Sequence, residues 1–337
     1  MTLVYDGLGA EYLYTKAVVA KTLSYEDDLR ALLAQYTGDE STLELFRATK
    51  LARYIPADAK KIEPGMVEKA AFRHYVGVLE SIRGRTPGQA LKIYKAYRAV
   101  VVARDVELIV RRKSLEGKIV RADELIYPEA PEVARARRLA EEDADPARIL
   151  AAAGMVNAAK ILRRTRGTEL LSAAIDIEIL RLFSEAKNAA KTSTGKDILG
   201  ARQDIFAART AMTLVTVQPE REILVMHEAV LETHKLPQQK LIEAVETRDT
   251  ETLERILLEA LAGKMPEGLT ALDAFTSSKR RENRRRAKGI FAREPLSLDV
   301  AAGLLELFLL DAEDAVIIAL SGYSKQPKSI VAELVSY

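Results

Sequence analysis

Three carboxylates in the most apolar stretch of the chain are the first residues that could do chemistry. LLELFLLDAEDAVIIAL, residues 304–320, carries Asp311, Glu313 and Asp314 near its middle. Carboxylates in an apolar helix bind ions in membrane carriers, and they also form ion pairs inside packed helix bundles. The first question is therefore whether this stretch lies in a membrane.

The cost of burying charge in lipid argues against a membrane span. A spanning helix needs about 20 mostly apolar residues. Here seven apolar or nearly apolar positions precede Asp311 and six follow Asp314. Each charge at the centre of a span costs roughly 2.5–3.5 kcal/mol, whereas each aliphatic residue returns only about 0.3–0.6 kcal/mol. Three charges exceed that gain, so the stretch is predicted not to span a membrane.

A helical wheel gives the stretch a place inside a helical protein. Its main apolar arc contains Leu304, Leu305, Phe308, Leu309, Ala312, Ala315, Val316, Ala319 and Leu320. Glu306 and the three central acids lie outside this arc, among other aliphatic side chains. The pattern predicts one apolar face and one mixed face, with the acids near an edge, a cavity or a partner.

No other residue pattern predicts catalysis or metal binding. The chain has no cysteine, and its three histidines, His74, His227 and His234, are scattered. The sequence contains no HExxH zinc pattern, no GxxxxGK[ST] phosphate loop and no GxGxxG fingerprint. We expect a protein that is not an enzyme, with no cofactor, no metal and no small-molecule substrate.

A basic run offers a binding surface. SSKRRENRRRAKG, residues 277–289, contains seven cations, Lys279, Arg280, Arg281, Arg284, Arg285, Arg286 and Lys288. Such a run can be a solvated helix face, it can contact anionic lipid head groups or acidic protein loops, or it can follow nucleic-acid phosphates. Nucleic acid is the least favoured of the three, because no aromatic residues alternate with the cations as stacking platforms. The net charge of only +2 also argues against a dedicated nucleic-acid binder.

Helical periodicity dominates the rest of the chain. Helices are predicted over residues 11–35, 66–82, 89–113, 146–164, 169–190, 196–217, 219–233, 238–248, 251–262, 271–289, 297–321 and 329–336. Residues 99–102 could form a strand by composition, but their long charged neighbours favour a helix. The predicted fold class is all-α, with a helix start at Asp249 and Thr250.

The helical pattern repeats at intervals of about 100 residues. An aliphatic helix with a central acid occurs around Asp105, Asp204 and Glu313, and an acid-bearing helix precedes each one. A proline and a short amphipathic helix follow the second and third, at Pro237 and Pro327. The repetition predicts three divergent helical domains, residues 1–120, 121–235 and 236–337.

This order resembles the C-type subunit of the archaeal-type (A-type) ATP synthase, the counterpart of the d-type subunit of the vacuolar-type (V-type) ATPase. The C-terminal stretch GLLELFLLDAEDAVIIALSGYSKQPKSIVAEL is its most specific part, although Val316–Ile318 replace a common Asn-Leu-Arg triplet. Further similar positions are Tyr12, Lys16 and Lys21 before DDLRALL, Asp105, Arg111, Lys113 and Gly117 around the first long helix, and Asp204 and Arg209 in the second.

The resemblance implies a funnel of three helical domains in pseudo-threefold arrangement that has no catalytic site. A protein of this kind links the central shaft, made of D- and F-type subunits, to the membrane proteolipid ring during ion-driven ATP synthesis or ATP hydrolysis. Asp311, Glu313 and Asp314 then become candidate shaft contacts, or they pair with basic residues of this chain. The seven cations of residues 279–288 become candidate contacts to the ring or to lipid head groups.

Location and habitat follow from composition. The N-terminus has no basic region followed by an apolar core, so we expect a cytoplasmic protein, peripheral on the inner face of the cell membrane if the resemblance holds. Abundant charges with no cysteine and only three asparagines suggest a thermophilic source. The alternative function is a soluble helical nucleic-acid-binding or scaffold protein that uses residues 279–288.

Overall fold

The described part of the protein is entirely helical in its regular structure. The computed structural model describes residues 8–83, 88–165, 168–218, 232–261 and 265–337, and no strand occurs in these ranges. Residues 99–102 lie inside a helix. The all-α class predicted from the sequence is therefore confirmed.

The described helices follow one another with short connections. In the first half they are α1 Leu8–Lys21, α2 Glu26–Ala34, α3 Ser41–Glu44, α4 Pro64–Arg83, α5 Gly88–Arg111, α6 Pro131–Glu141, α7 Pro146–Ala152 and α8 Val156–Thr165. In the second half they are α9 Leu171–Ala189, α10 Ser193–Val217, α11 Gln238–Thr247, α12 Thr250–Glu259, α13 Ala271–Arg293, α14 Val300–Tyr323 and α15 Lys328–Leu334. Short 3₁₀ segments cover Leu45–Ala48, Lys50–Tyr54 and Ala122–Glu124.

Two predicted helices are broken in the structure. The segment predicted as residues 11–35 divides into α1 and α2. The segment predicted as residues 146–164 divides into α7 and α8 at Gly154, whose φ of +83° suits a residue without a Cβ. The predicted start of α12 is confirmed, since the Asp249 side chain accepts a hydrogen bond from the Thr252 N–H. Most of the helix predicted over 219–233 lies outside the described residues.

The chain divides into two compact units. The first comprises Met1–Tyr94, Lys187–Leu199 and Leu261–Tyr337, and the second comprises Lys95–Ala186 and Gly200–Ala260. The three contiguous domains proposed from the repeats, and their pseudo-threefold funnel, stay a prediction.

Helix α14 is the centre of the first unit. It packs against α4 and α13 and also against α1, α2, α3 and α15. Every residue of Val300–Ala312 is buried in consequence, including Glu306 and Asp311. The predicted mixed face of this helix is therefore wrong. A wheel assumes one buried side, whereas α14 has neighbours on several sides.

The second unit has an aromatic core and a pair of charged side chains at its periphery. The ring centroids of Tyr97 and Phe183 lie 5.1 Å apart, and those of Phe183 and Phe206 lie 5.9 Å apart. Arg98 donates two hydrogen bonds of 2.9 and 2.8 Å to the Glu132 carboxylate, a forked geometry that fixes α5 against α6.

A buried aspartate in each of three long helices binds the backbone of a segment that returns to the helix. All three are at most 1% exposed. The pairs are Asp105 with the N–H groups of Ile126 and Tyr127 at 2.9 and 2.7 Å, Asp204 with those of His234 and Lys235 at 2.7 and 3.1 Å, and Asp314 with that of Ser336 at 3.0 Å. The third member of the predicted repeat is thus matched by Asp314, one residue after Glu313.

Close packing of α13 on α14 depends on Gly303. A Cβ at this position would collide with Cγ2 of Ile290 and lie 3.1 Å from the carbonyl oxygen of Ala287. Ile290 is fully buried and has little room to move.

We therefore predict that Gly303→Ala lowers the free energy of unfolding by about 1–3 kcal/mol, the usual cost of overpacking. Urea unfolding followed by circular dichroism measures the change. Gly65→Ala in α4 is the matched control, because a Cβ there meets no atom within 4 Å and alanine favours a helix. A Gly303→Ala variant as stable as the control would contradict the prediction.

Candidate functional site: an ionic cluster beneath the C-terminal segment

Helices α13 and α14 present opposite charges to each other. Arg280 and Arg284 are four residues apart in α13, and Asp311 and Asp314 are three residues apart in α14. Residues at these spacings share one face of a helix. The two faces meet inside the first unit, where they form an ionic cluster.

Arg280 links α14 to the end of the chain. Its Nε lies 3.0 Å from a Glu313 oxygen and its Nη2 lies 2.5 Å from an Asp314 oxygen. Its Nη1 donates to the Leu334 carbonyl at 2.9 Å. The Arg280 and Asp314 side chains are 4% and 0% exposed, so this pair has left water.

Arg284 bonds four side chains. Its Nη1 lies 2.8 Å from Asp311 and 2.9 Å from Glu26, and its Nη2 lies 3.1 Å from Asp314. Its Nε donates to the Ser336 hydroxyl at 2.7 Å. The guanidinium is thereby paired with three carboxylates, one of them contributed by α2.

The cluster determines the charge state of its members. Burial disfavours the charge of Arg284, but the Asp311, Asp314 and Glu26 carboxylates outweigh this effect and raise its pKa. Burial raises the pKa of Asp311, and the neighbouring Arg284 opposes that shift. Ser24 also donates to Asp311, at 2.7 Å.

Glu26 lies at the edge of the cluster and is strongly acidic. Burial acts to raise its pKa, but hydrogen bonds from Lys288 and Arg30 and the charge of Arg284 lower that pKa to about 2. Its side chain is 12% exposed and lies 2.7 Å from both Arg30 and Lys288. This carboxylate thus joins the buried cluster to surface cations.

The C-terminal segment, residues 332–337, is bound on top of the cluster. Ser336 donates its N–H and its hydroxyl to Asp314, at 3.0 and 2.6 Å. Arg281 donates to the carbonyls of Ala332, Glu333 and Val335. The Tyr337 hydroxyl donates to the Leu29 carbonyl at 3.0 Å.

The structure pairs the predicted acids and part of the basic run with each other. Asp311 and Asp314 have no exposed surface, and Glu313 keeps 19%. Pairing with cations of the same chain was one of the two alternatives posed by the sequence. It is the arrangement observed, and it leaves Asp311 and Asp314 no surface to offer a shaft.

The basic run is not one exposed face. Lys279, Arg280 and Arg284 are at most 9% exposed. Arg281 is 34% exposed, Arg286 is 19% exposed and bonds Glu282, and Arg285 and Lys288 are exposed. A charge run with helical periodicity therefore divides into an inner stripe that pairs with acids and an outer stripe that faces solvent.

Sequence reasoning missed Ser24, Glu26 and Ser336 as members of the cluster. Glu26 and Arg284 are separated by 258 positions, and no local pattern connects them. Glu26 stands in an acidic helix start, YEDD, that is also typical of a solvated first turn.

The cluster is suited to holding helices together and not to proton transfer or nucleophilic attack. Its carboxylates are bonded by arginines, which do not titrate in proteins. Among the described residues, no group of three or more His, Asp and Glu side chains is arranged to hold a metal ion. A search of the described helices also finds none with the length and apolar character needed to cross a membrane.

Comparison with known proteins identifies a family. A family model described as ATP synthase (C/AC39) subunit matches residues 17–333, which contain most of the helices of both units. No curated protein matches the chain.

Removing Arg284 should destabilise the protein severely. Arg284→Ala leaves Asp311 and Asp314 buried without their shared cation, and losing one member of a buried ion pair costs about 3–5 kcal/mol. Arg284→Lys keeps the charge but loses the forked geometry, so we expect an intermediate loss. Urea unfolding measures both variants.

Arg138→Ala is the matched control, because Arg138 is 72% exposed and pairs with Glu142 at the surface. We expect no measurable change there. An Arg284→Ala variant with the stability of the control would contradict a structural role for the cluster.

The acidity of Glu26 predicts a pH dependence of stability. Its pKa falls from 4.5 to about 2 on folding, so its carboxylate stabilises the fold above pH 4.5, and that contribution disappears as the pH falls toward about 2. Glu26→Gln should lower stability at neutral pH and reduce the loss of stability across this acid range.

Thermal unfolding at a series of pH values tests this expectation. Glu142→Gln, at an exposed ion pair, is the control and should keep the wild-type profile. A Glu26→Gln profile parallel to that of the wild type would contradict the assignment.

Proposed function

The chain belongs to the ATP synthase (C/AC39) subunit family, and from that premise we propose that it is a non-catalytic central-stalk subunit of an A/V-type ATP synthase or ATPase. In this role it couples the central shaft, formed by D- and F-type subunits, to the membrane proteolipid ring. Rotation driven by ion flow then reaches the ATP-synthesising head, or rotation driven by ATP hydrolysis reaches the ring.

The extent of the family match is the observation that carries this proposal. It runs from residue 17 to residue 333 and so includes α14, which contributes Asp311 and Asp314, together with Arg280, Arg284 and Glu26. The ionic cluster therefore lies within the part of the chain that defines the family.

Rigid packing supports a role in transmitting torque. An element that carries load between two partners must not deform, and close-packed interiors have low compressibility. In the first unit, α14 is surrounded by packed helices, and the ionic cluster ties it to α2, α13 and the C-terminal segment. These bonds resist sliding of α13 along α14.

Partner contacts are proposed only for side chains that keep accessible surface. Of the acidic candidates for the shaft, Glu313 retains 19% exposure. Of the basic candidates, Arg281, Arg285, Arg286 and Lys288 retain surface that could meet acidic loops of the ring or anionic lipid head groups. Through the ring, the protein would be peripheral on the cytoplasmic face of the cell membrane.

The alternative, nucleic-acid or scaffold binding through residues 279–288, has less support. A phosphate track needs its cations at the surface. Lys279, Arg280 and Arg284 are instead buried, and Arg280 and Arg284 are bonded to acids of the same chain. The outer cations that remain are too few to follow a nucleic-acid backbone over a typical footprint.

Co-expression with D- and F-type shaft subunits and with the detergent-solubilised proteolipid ring tests the proposal. We expect the chain to co-elute with each partner in size-exclusion chromatography. Elution apart from both partners would overturn the proposal, and a shift of labelled duplex DNA with steep salt dependence would favour the alternative.

Arg285→Glu should reduce co-elution with the ring but not with the shaft, because it reverses an exposed charge of the outer stripe. Arg138→Glu, at an exposed arginine in α6, is the matched control and should retain both partners.

A further inference from the structure

A cationic cavity lies beside the ionic cluster. Its volume is about 370 Å³, and its walls include Arg30, Arg281, Arg284, Arg285 and Lys288. Small-molecule sites usually have volumes of roughly 300–1,000 Å³, so the cavity suits a small ligand. All five cations belong to the first unit.

Four of the five cations are fastened by carboxylates that do not line the cavity. Glu26 binds Arg30 and Lys288, and Glu333 binds Arg281. Arg284 is held by Asp311 and Asp314. The described lining contains no carboxylate side chain, so the wall is positive while its anchors lie outside it.

The fifth cation, Arg285, has no carboxylate anchor. Within the described part of the chain it has no hydrogen bond or ion pair, although it is exposed and lines the cavity. The cations that wall the cavity, together with Arg280, number six, and the carboxylates bonded to them are Glu26, Asp311, Glu313, Asp314 and Glu333. The charge that is not neutralised is therefore at the cavity.

Tyr337 adds an aromatic wall that is also held in place. Its ring lies under the Arg30 guanidinium, 4.6 Å from the ring centroid, and its hydroxyl donates to Leu29. The side chains around the cavity are thus ordered before any ligand arrives, which reduces the entropy lost on binding.

We propose that this cavity is an anion-binding site for a phosphate-class group, a phosphate monoester or a pyrophosphate. Arginine guanidinium groups match the geometry of phosphate oxygens with two parallel hydrogen bonds, and lysine adds a point charge. Arg285 supplies the unpaired fork, and Lys288 and Arg281 supply further positive charge around it. The inference stands on the cavity alone and does not depend on the proposed role in a rotary ATPase.

Titration of the purified chain with sodium pyrophosphate, followed by isothermal calorimetry at neutral pH and low ionic strength, tests the site. We expect saturable binding that sodium chloride at the same ionic strength does not reproduce. Arg285→Ala should weaken the affinity about tenfold, the effect of one charge-assisted hydrogen-bond pair.

Arg293→Ala is the matched control. It removes the same charge from an exposed position at the end of α13, outside the cavity lining, and should leave the affinity unchanged. Arg285 has no partner to lose within the described part of the chain, so its variant should fold normally, which the circular dichroism spectrum checks.

A second arm distinguishes a soluble phosphate from a lipid head group. The chain and its two variants are sedimented with phosphatidylcholine vesicles that contain or lack phosphatidic acid. Binding that requires phosphatidic acid and is reduced by Arg285→Ala, but not by Arg293→Ala, assigns the site to a lipid phosphate. Such a dependence for pyrophosphate alone assigns it to a soluble ligand. Absence of saturable binding in both arms, or equal losses in the two variants, would overturn the proposal.

Discussion

A carboxylate without exposed surface can persist in a folded protein only when cations and hydrogen-bond donors replace the water it has lost. Asp311 and Asp314 impose this requirement on the first unit, and Arg280 and Arg284 meet it. The requirement fixes the register of α13 against α14, because a shift by one residue would turn the arginines away from the acids. It also explains why Ser336 and the residues around it lie on the cluster.

The same physical device occurs at a smaller scale in the other long helices. Asp105 and Asp204 are buried without an arginine as their main ligand, and backbone N–H groups of returning segments bind them instead. Asp314 combines both solutions, since it binds the Ser336 N–H as well as the arginines. A helix that binds a returning segment through a buried aspartate is therefore the recurring feature behind the sequence repeat, and it supports the proposed common origin of three helical segments.

For a protein that transmits force, such a cluster has a clear use. Apolar packing alone has no preferred sliding position along a helix, whereas forked hydrogen bonds between arginine and carboxylate depend on direction and distance. The arrangement also separates two roles within one basic run. Arg280 and Arg284 support the interior, and Arg285 and Lys288 remain at the surface for anions or partners. Mutation of the run as a whole would mix these two effects.

The sequence by itself determined the all-α class, most helix positions and the family, because helical periodicity, proline and glycine breaks and the order of acid-bearing helices are local signals. It also identified Asp311, Glu313, Asp314 and the basic run as unusual. It could not decide which of these charges are buried. A helical wheel records the spacing of side chains along one helix but not how many neighbours surround it, so it predicts a polar edge that α14 lacks. Only the tertiary structure brought Glu26 and Ser336 to Arg284 and Asp314, because ion pairs between segments distant in sequence depend on packing and leave no periodic trace.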